Sequence, residues 1–412
     1  MVDTKNTITA HNTKIPLDWK VTKLGDVGKI RMCKRIFNHE TNEKGDIPFF
    51  KIGTFGKEPD AFIPKELYDN YRKKFSFPKK GEILISAAGT LGRTVVYDGS
   101  PAYFQDSNIV WIDNSELIVT NQYLYYVYQI VKYESEGGTI QRLYNSIISN
   151  AEFICPPLPE QKAIAQVLST ADAAVQTAEK LIAQKELRKK WLMQQLLSGK
   201  QRLNGFGGEW KSEILGNVVS LQHGYQFRDE DFVEEGIPVI KIRNVIGYDL
   251  VLTDMTFVDE SRLDEFKSVI IENGDLLMSL TGNIGRVVEV KGIDKPMFQN
   301  YRVGKFTPID GQLTKSFLKF ILSSDILFKQ FNGLANQSAQ ANFGKQDMDK
   351  LKFSFPISIE EQTTIAQVLQ TVDKEISLLH AKAEKLREQK KGLMQQLLTG
   401  KVRLKIDKLK TA

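Results

Sequence analysis

Few residues in the chain are placed to do chemistry. Asp275 precedes Glu289-Val290-Lys291, and metal-dependent nucleases set an acidic residue before a strand carrying Glu-x-Lys to hold a metal ion for phosphodiester cleavage. An earlier stretch of the sequence repeats the surrounding glycines but carries Glu82, Val96 and Asp98 at the matching places. The supposed chemistry is therefore lost where the framework recurs, and Glu289 and Lys291 read more simply as the solvent face of a strand. No G-x-x-x-x-G-K-[ST] loop, G-x-S-x-G elbow or Asn-Pro-Pro-Tyr methyltransferase signature is present. Cys33 and Cys155 form no C-x-x-C pair, and His11, His39, His223 and His380 have no zinc spacing. The expectation is a chain that is not itself an enzyme and binds no metal.

Binding chemistry is better supplied. Glycine turns at 89–93 and 282–286 permit positive φ and close backbone approach, and each ends in an arginine, Arg93 or Arg286, suited to phosphate. Loops of the first half offer Lys51, Thr54, Lys57, Gln105, Asn108, Gln141, Arg142, Tyr144 and Asn145. Those of the second offer Lys241, Arg243, Asn244, Gln299, Asn300, Tyr301 and Arg302, followed by Asn336, Gln337, Gln340 and Asn342. Arginine and lysine match guanine edges, and asparagine and glutamine match adenine edges, in the major groove. Basic residues such as Lys189, Lys190, Lys390 and Lys391 near the ends of two long helical stretches could attract phosphate, though complementing the helix dipole explains most of them.

The elements that carry these residues are written twice. Residues 160–203 align without a gap to 361–404 at an offset of 201, with 21 of 44 positions identical. Upstream, Trp19 and Leu24-Gly25 match Trp210 and Leu215-Gly216, and 81–93 matches 274–286 in the pattern Gly-Asp/Glu-x-Leu-x-Ser-x-x-Gly-x-x-Gly-Arg. In each closely matched repeat, apolar residues step by four and three, the seam of a coiled coil. It runs through Leu168, Val175, Ile182, Leu192 and Leu196 in the first repeat. In the second it runs through Leu369, Ile376, Leu379, Leu386, Leu393 and Leu397, with Lys189 and Lys390 interrupting the two stripes. Prolines precede each stretch and Gly199 or Gly400 follows it, as helix boundaries require. Two such helices can zip into an intramolecular antiparallel pair relating the halves by a pseudo-two-fold axis; the competing possibility is that each stripe packs on its own domain.

Between the helices, short Ile-, Val- and Phe-rich runs at 83–86, 94–97, 109–112, 239–242, 276–280 and 286–290 predict strands, with helices near 120–133 and 315–331. The fold class is α+β: two mixed α/β domains with twisted, mostly antiparallel sheets, alternating with two long helices. The expected division is a flexible N-terminus at 1–14, a first domain at 15–157, a central helix at 158–203, a second domain at 204–356, a C-terminal helix at 357–404 and a tail at 405–412.

Length and composition agree. At 412 residues the chain has room for two or three domains, and 42% hydrophobic with 26% charged residues is ordinary for a globular protein. A net charge of +6 permits a polyanion partner. No signal peptide or apolar run of membrane-spanning length is seen, so a soluble cytoplasmic protein with no membrane partner is expected.

Taken as an ordered set, the Leu-Gly openings, the Gly-Arg turns, the Glu-Gln-x-x-Ile-Ala-x-x-Leu helix starts and the Leu-Met-Gln-Gln-Leu-Leu-[Ser/Thr]-Gly helix ends resemble the specificity subunits of type I restriction-modification systems. The resemblance covers nearly the whole chain. It implies two target-recognition domains that each read half of a split, asymmetric site in double-stranded DNA, with the paired helices setting the spacer. It also implies two modification (methyltransferase) subunits carrying S-adenosylmethionine, joined by restriction subunits that use ATP and magnesium, with no cofactor on this chain. A specificity chain whose partner fuses methyltransferase and nuclease, and a coiled-coil scaffold that binds protein, remain the alternatives.

Overall fold

The computed structural model describes residues 7–10, 13–133, 142–247, 249–309, 311–335 and 343–404. The chain divides into two compact units, residues 1–178 with 382–412, and residues 179–381. Each holds one β-rich domain and one stretch of each long helix.

The first unit is built on a four-stranded antiparallel sheet in the order Gly28–Arg31, Ile109–Asn114, Ile83–Ser86, Thr94–Val96. A three-stranded sheet beside it orders Phe62–Ile63, Ile47–Phe50, Tyr103–Phe104, the last pair parallel with Phe49 opposite Tyr103. Lys20–Lys23 and Glu152–Cys155 close the domain as a two-stranded ribbon leading into the central helix. The second unit repeats the plan. Its four-stranded sheet runs Val219–His223, Val303–Pro308, Leu276–Ser279, Val287–Glu289, and its closing ribbon pairs Trp210–Ile214 with Lys352–Pro356. The smaller sheet has five strands and keeps the parallel pair, with Val239 opposite Phe298. The apolar runs at 83–86 and 109–112, and 276–279 of the third, thus become strands of the four-stranded sheets, and their side chains are buried because a second layer covers each face.

The long helices are Leu158–Leu196 and Ile359–Leu397, each 39 residues, or nearly 60 Å at about 1.5 Å per residue. In the first unit Glu160 meets Arg403 and Asp172 meets Lys390. In the second, Lys185 meets Glu375, Lys189 meets Asp373 and Arg202 meets Glu361. Within each unit, rising numbers on one helix face falling numbers on the other, so the strands of the pair are antiparallel. The stripe is not only a seam. Leu168 and Leu397 enter the core of the first domain, and Leu196 and Leu369 that of the second. Ile182 is buried, while Val175, Leu192, Ile376, Leu379, Leu386 and Leu393 are half-buried.

The lysines that interrupt the apolar stripe have a defined use. Lys189 lies 2.6 Å from Asp373, and Lys390 lies 2.6 Å from Asp172. These are the same two positions of the repeat, used reciprocally, in side chains only 16% to 31% exposed. A partly desolvated charge pair at a seam position fixes helix register better than it adds stability, because a shifted register strands both charges.

Candidate nucleic-acid interface

Each domain is held to its helix by a buried glutamine. The Gln161 side chain is fully buried; its Oε1 accepts the backbone N–H of Thr120 at 2.8 Å, and its Nε2 donates to the carbonyls of Ile118 and Pro156. Gln362 repeats this with the N–H of Thr314 and the carbonyls of Gln312 and Pro356. The same threonines cap Asn121–Val127 and Lys315–Leu322 through their hydroxyls. Glu160 accepts Arg403 at 2.6 Å and the Trp19 indole N–H at 3.0 Å, while Glu361 accepts both ends of the Arg202 guanidinium at 2.6 Å. The carboxylate partners hold the Arg403 guanidinium above its ordinary value against the opposing effect of burial. The sequence shows these residues as identical repeat positions at the starts and ends of the long helices; in the structure they are the clamps between domain and helix.

The glycine-arginine turns are also near copies. The Ser86 hydroxyl donates to the Thr90 carbonyl and accepts the Arg93 N–H at 2.8 Å; Ser279 does the same with Asn283 and Arg286, at 2.6 and 3.1 Å. Gly92 and Gly285 have φ of 75° and 90°, the left-handed region that favours glycine, and a Cβ would sit tightly, 3.3 Å from the Tyr133 ring and 3.1 Å from the Phe331 ring. The arginines differ. Arg93 Nη1 donates to the Phe55 carbonyl at 3.0 Å, tying the turn to the 51–57 loop, whereas the Arg286 guanidinium has no hydrogen-bond or ion-pair partner among the described residues.

Several of the loop residues are already engaged. Gln105 Oε1 accepts the Ile52 N–H at 2.9 Å, and Thr54 closes a turn with Lys51, whose ammonium reaches Asp60 at 2.9 Å. Arg142 donates to the Ser107 carbonyl. Asn244 is buried, with Oδ1 on the Lys241 N–H and Nδ2 on the Val251 carbonyl, and Arg243 donates to the Asp254 carbonyl. Asn300 is buried, and its Oδ1 receives the Arg302 N–H at 3.3 Å. These groups shape loops. More open are Asn108, half-buried, Tyr144, 63% exposed, and Arg302, which lies over the Tyr301 ring at 5.3 Å and donates to its hydroxyl. Lys241 sits 3.7 Å over the Phe232 ring, and burial, then the neighbouring Arg243, holds its ammonium below the usual lysine value. Gln141, Gln337, Gln340 and Asn342 lie outside the described residues.

One loop escaped the sequence reading. Tyr225, 43% exposed, packed edge-on to Phe227 and tilted against Phe266, lines with Gln226, Arg228, Glu230 and Asp231 an open cavity of about 370 Å³. An aromatic face beside an amide and a guanidinium can stack and hydrogen-bond a base. Its signal, Tyr-Gln-Phe-Arg, alternates like an ordinary strand.

Asp275 and Glu289 are engaged by lysines. Asp275 receives Lys305 at 3.3 Å and Lys315 at 3.5 Å, and Glu289 receives Lys291 at 3.0 Å and Lys319 at 3.2 Å. Although burial opposes it, those lysines hold the Glu289 carboxyl below its ordinary value. Among the described residues no helix is long and apolar enough to cross a membrane.

Comparison with known proteins agrees with this architecture. The chain is 60% identical over 150 residues to a putative type I restriction enzyme specificity subunit of Haemophilus influenzae, a match covering 36% of this chain and 39% of that relative. It is 26% identical over 421 residues to the type I restriction enzyme MjaVIII specificity subunit of Methanocaldococcus jannaschii, covering 96% and 95% of the two chains. In fold it is similar to the crystal structure of a type I restriction-modification S subunit from M. genitalium, with a TM-score of 0.59 at 16% identity over 95% of this chain and 98% of that one. The family model for the type I restriction modification DNA specificity domain matches twice, at residues 16–186 and 208–388, and the chain therefore belongs to that family of type I specificity subunits.

Proposed function

We propose that the two domains read the two halves of a bipartite, asymmetric site in double-stranded DNA, and that the antiparallel helices set the unread spacer between them. The observation that carries this reading is unequal divergence. The helix clamps and glycine turns are near copies, while the loops beside them differ after a shared lysine, Lys51 or Lys241: Gly53, Thr54 and a tethered Arg93 in one unit, Arg243, Asn244 and an unpartnered Arg286 in the other. Two similar platforms with different loops are what reading two different sequences requires.

The chain would do no chemistry. Modification subunits carrying S-adenosylmethionine would methylate an adenine in each half-site after flipping it from the stack, and restriction subunits using ATP and magnesium would join them. Exposed apolar side chains on the helices of the second unit, Leu187 at 70%, Leu378 at 62% and Trp191 at 50%, support protein docking there. The test is genome-wide adenine-methylation mapping in cells that express the chain with its modification subunit. A bipartite motif with a fixed spacer is expected; an assembled complex that marks no motif would overturn direct readout and favour a protein-binding scaffold.

A further inference from the structure

We propose that Arg35 and Gln226, equivalent positions on the loop that leaves the first strand of each four-stranded sheet, are specificity-determining residues of the two half-sites, Arg35 for a guanine edge and Gln226 for an adenine edge. The inference rests on the half-site reading above and names where in each domain selection occurs. The offset of 191 that matches Trp19 to Trp210 continues through this loop, pairing residues 31–40 with 222–231. Its frame is the same in both units. Ile36 and Phe227 are buried and anchor it to the domain core. A one-turn 3-10 helix follows, Asn38–Glu40 or Asp229–Asp231. In each, the last residue's carboxylate accepts the N–H three residues back, Glu40 from Phe37 and Asp231 from Arg228, both at 2.8 Å. The exposed positions between strand and turn all differ: Lys34 against Tyr225, Arg35 against Gln226, Phe37 against Arg228. A fixed backbone carrying exchanged side chains is what base selection requires.

Each loop is fixed against the same neighbouring segment. In the second unit the Tyr225 N–H donates to the Gln299 carbonyl at 2.9 Å, and the Tyr225 carbonyl accepts the Tyr301 N–H at 3.0 Å, which sets the loop beside Tyr301 and Arg302. In the first, Arg35 Nε donates to Asp106 at 2.9 Å, and Asp106 follows Gln105 as Asn300 follows Gln299. The Arg35 side chain is 61% exposed on a carboxylate only 14% exposed. That buttress fixes the guanidinium plane through Nε and leaves the two Nη groups, the fork that matches N7 and O6 of guanine. Gln226 is exposed and makes no hydrogen bond among the described residues, and its amide carries the donor and acceptor that match N7 and N6 of adenine. The acids of its cavity are answered by arginines, Glu230 by Arg228 at 3.7 Å and Asp231 by Arg262 at 2.7 Å, so they do not repel a polyanion.

The test is adenine-methylation mapping with the full-length chain and its modification subunit. Arg35→Ala is expected to cut the preference for one guanine in one half-site about tenfold or more, with the other half and the spacer unchanged. Arg35→Lys keeps the charge and its reach to Asp106 but lacks the fork, and should lose the same preference. Gln226→Ala should relax one adenine in the other half, and Gln226→Arg should move that position towards guanine. A new preference cannot come from a chain that fails to fold, so the last variant separates reading from stability. A motif unaltered in both alanine variants overturns the inference and leaves the half-site reading standing. So does uniformly weaker methylation of an unaltered motif, the signature of a lost phosphate contact. An assembled, unvaried complex that marks no motif overturns both.

Discussion

Glu82 in the first unit and Asp275 in the second occupy the same point of equivalent sheets, two residues before Leu84 and Leu277, yet among the described residues only Asp275 is held in an ion pair. Opposite Leu277 stands Lys305, which reaches Asp275 at 3.3 Å; opposite Leu84 stands Trp111. Glu82 is left with Oε2 on the Lys79 N–H at 2.6 Å and Oε1 without a partner. The glutamine clamps of the two units, by contrast, repeat the same three backbone hydrogen bonds. Backbone scaffolding has been held constant where domain meets helix, while electrostatics has drifted on the strands beneath the loops. That is the pattern of a platform kept rigid so that its reading edge can change.

The clamps should show the largest effects, and equal ones. Gln161→Ala leaves three buried backbone groups unpaired, as does Gln362→Ala, and each should cost about 3 kcal/mol, read as lost hydrogen-exchange protection in its own unit. Unequal losses would break the equivalence. Asp275→Ala, which strands the half-buried Lys305, should cost about 2 to 3 kcal/mol in denaturant unfolding. The indoles sharpen the contrast further. Trp19 donates to Glu160, whereas the Trp210 indole N–H is buried without a partner. Trp19→Phe should therefore lose about 1 to 2 kcal/mol more than Trp210→Phe, beyond the packing change common to both.

The smallest effect has a pH signature. Burial, ahead of the opposing Lys79 N–H and ammonium, pushes the Glu82 carboxyl above its ordinary value. The folded chain then binds that proton more tightly than the unfolded chain, so stability is present below the ordinary value and is lost as pH rises through the folded one. Glu82→Gln should raise the melting temperature near about pH 7 and leave it unchanged near about pH 4. An unchanged melt at both would mean the carboxylate is better solvated than its burial suggests.

Much of this was legible in the sequence because it is periodic or duplicated. The offset of 201 located both long helices, runs rich in Ile, Val and Phe located the central strands, and glycines located the turns, where they take positive φ. What side chains do at a given loop position was not legible. Gln105 and Asn244 look like base-reading amides, but local backbone geometry uses them first, on the Ile52 N–H and on the Lys241 N–H and Val251 carbonyl. The parallel pairings of Phe49 with Tyr103 and of Val239 with Phe298 join residues far apart in sequence, which no local pattern encodes. Lys189 and Lys390 looked like breaks in an apolar stripe; the two aspartates that answer them lie on the other helix.

The central claim is that each unit reads its own half of the site, and the most direct measurement is methylation mapping of paired variants. Lys51→Ala with Arg93→Ala alters only the first unit, and Arg243→Ala with Arg286→Ala only the second. The account predicts that each pair relaxes or shifts one half of the motif and leaves the other half and the spacer unchanged. Loss of both halves together, or an unaltered motif in both variants, would contradict it.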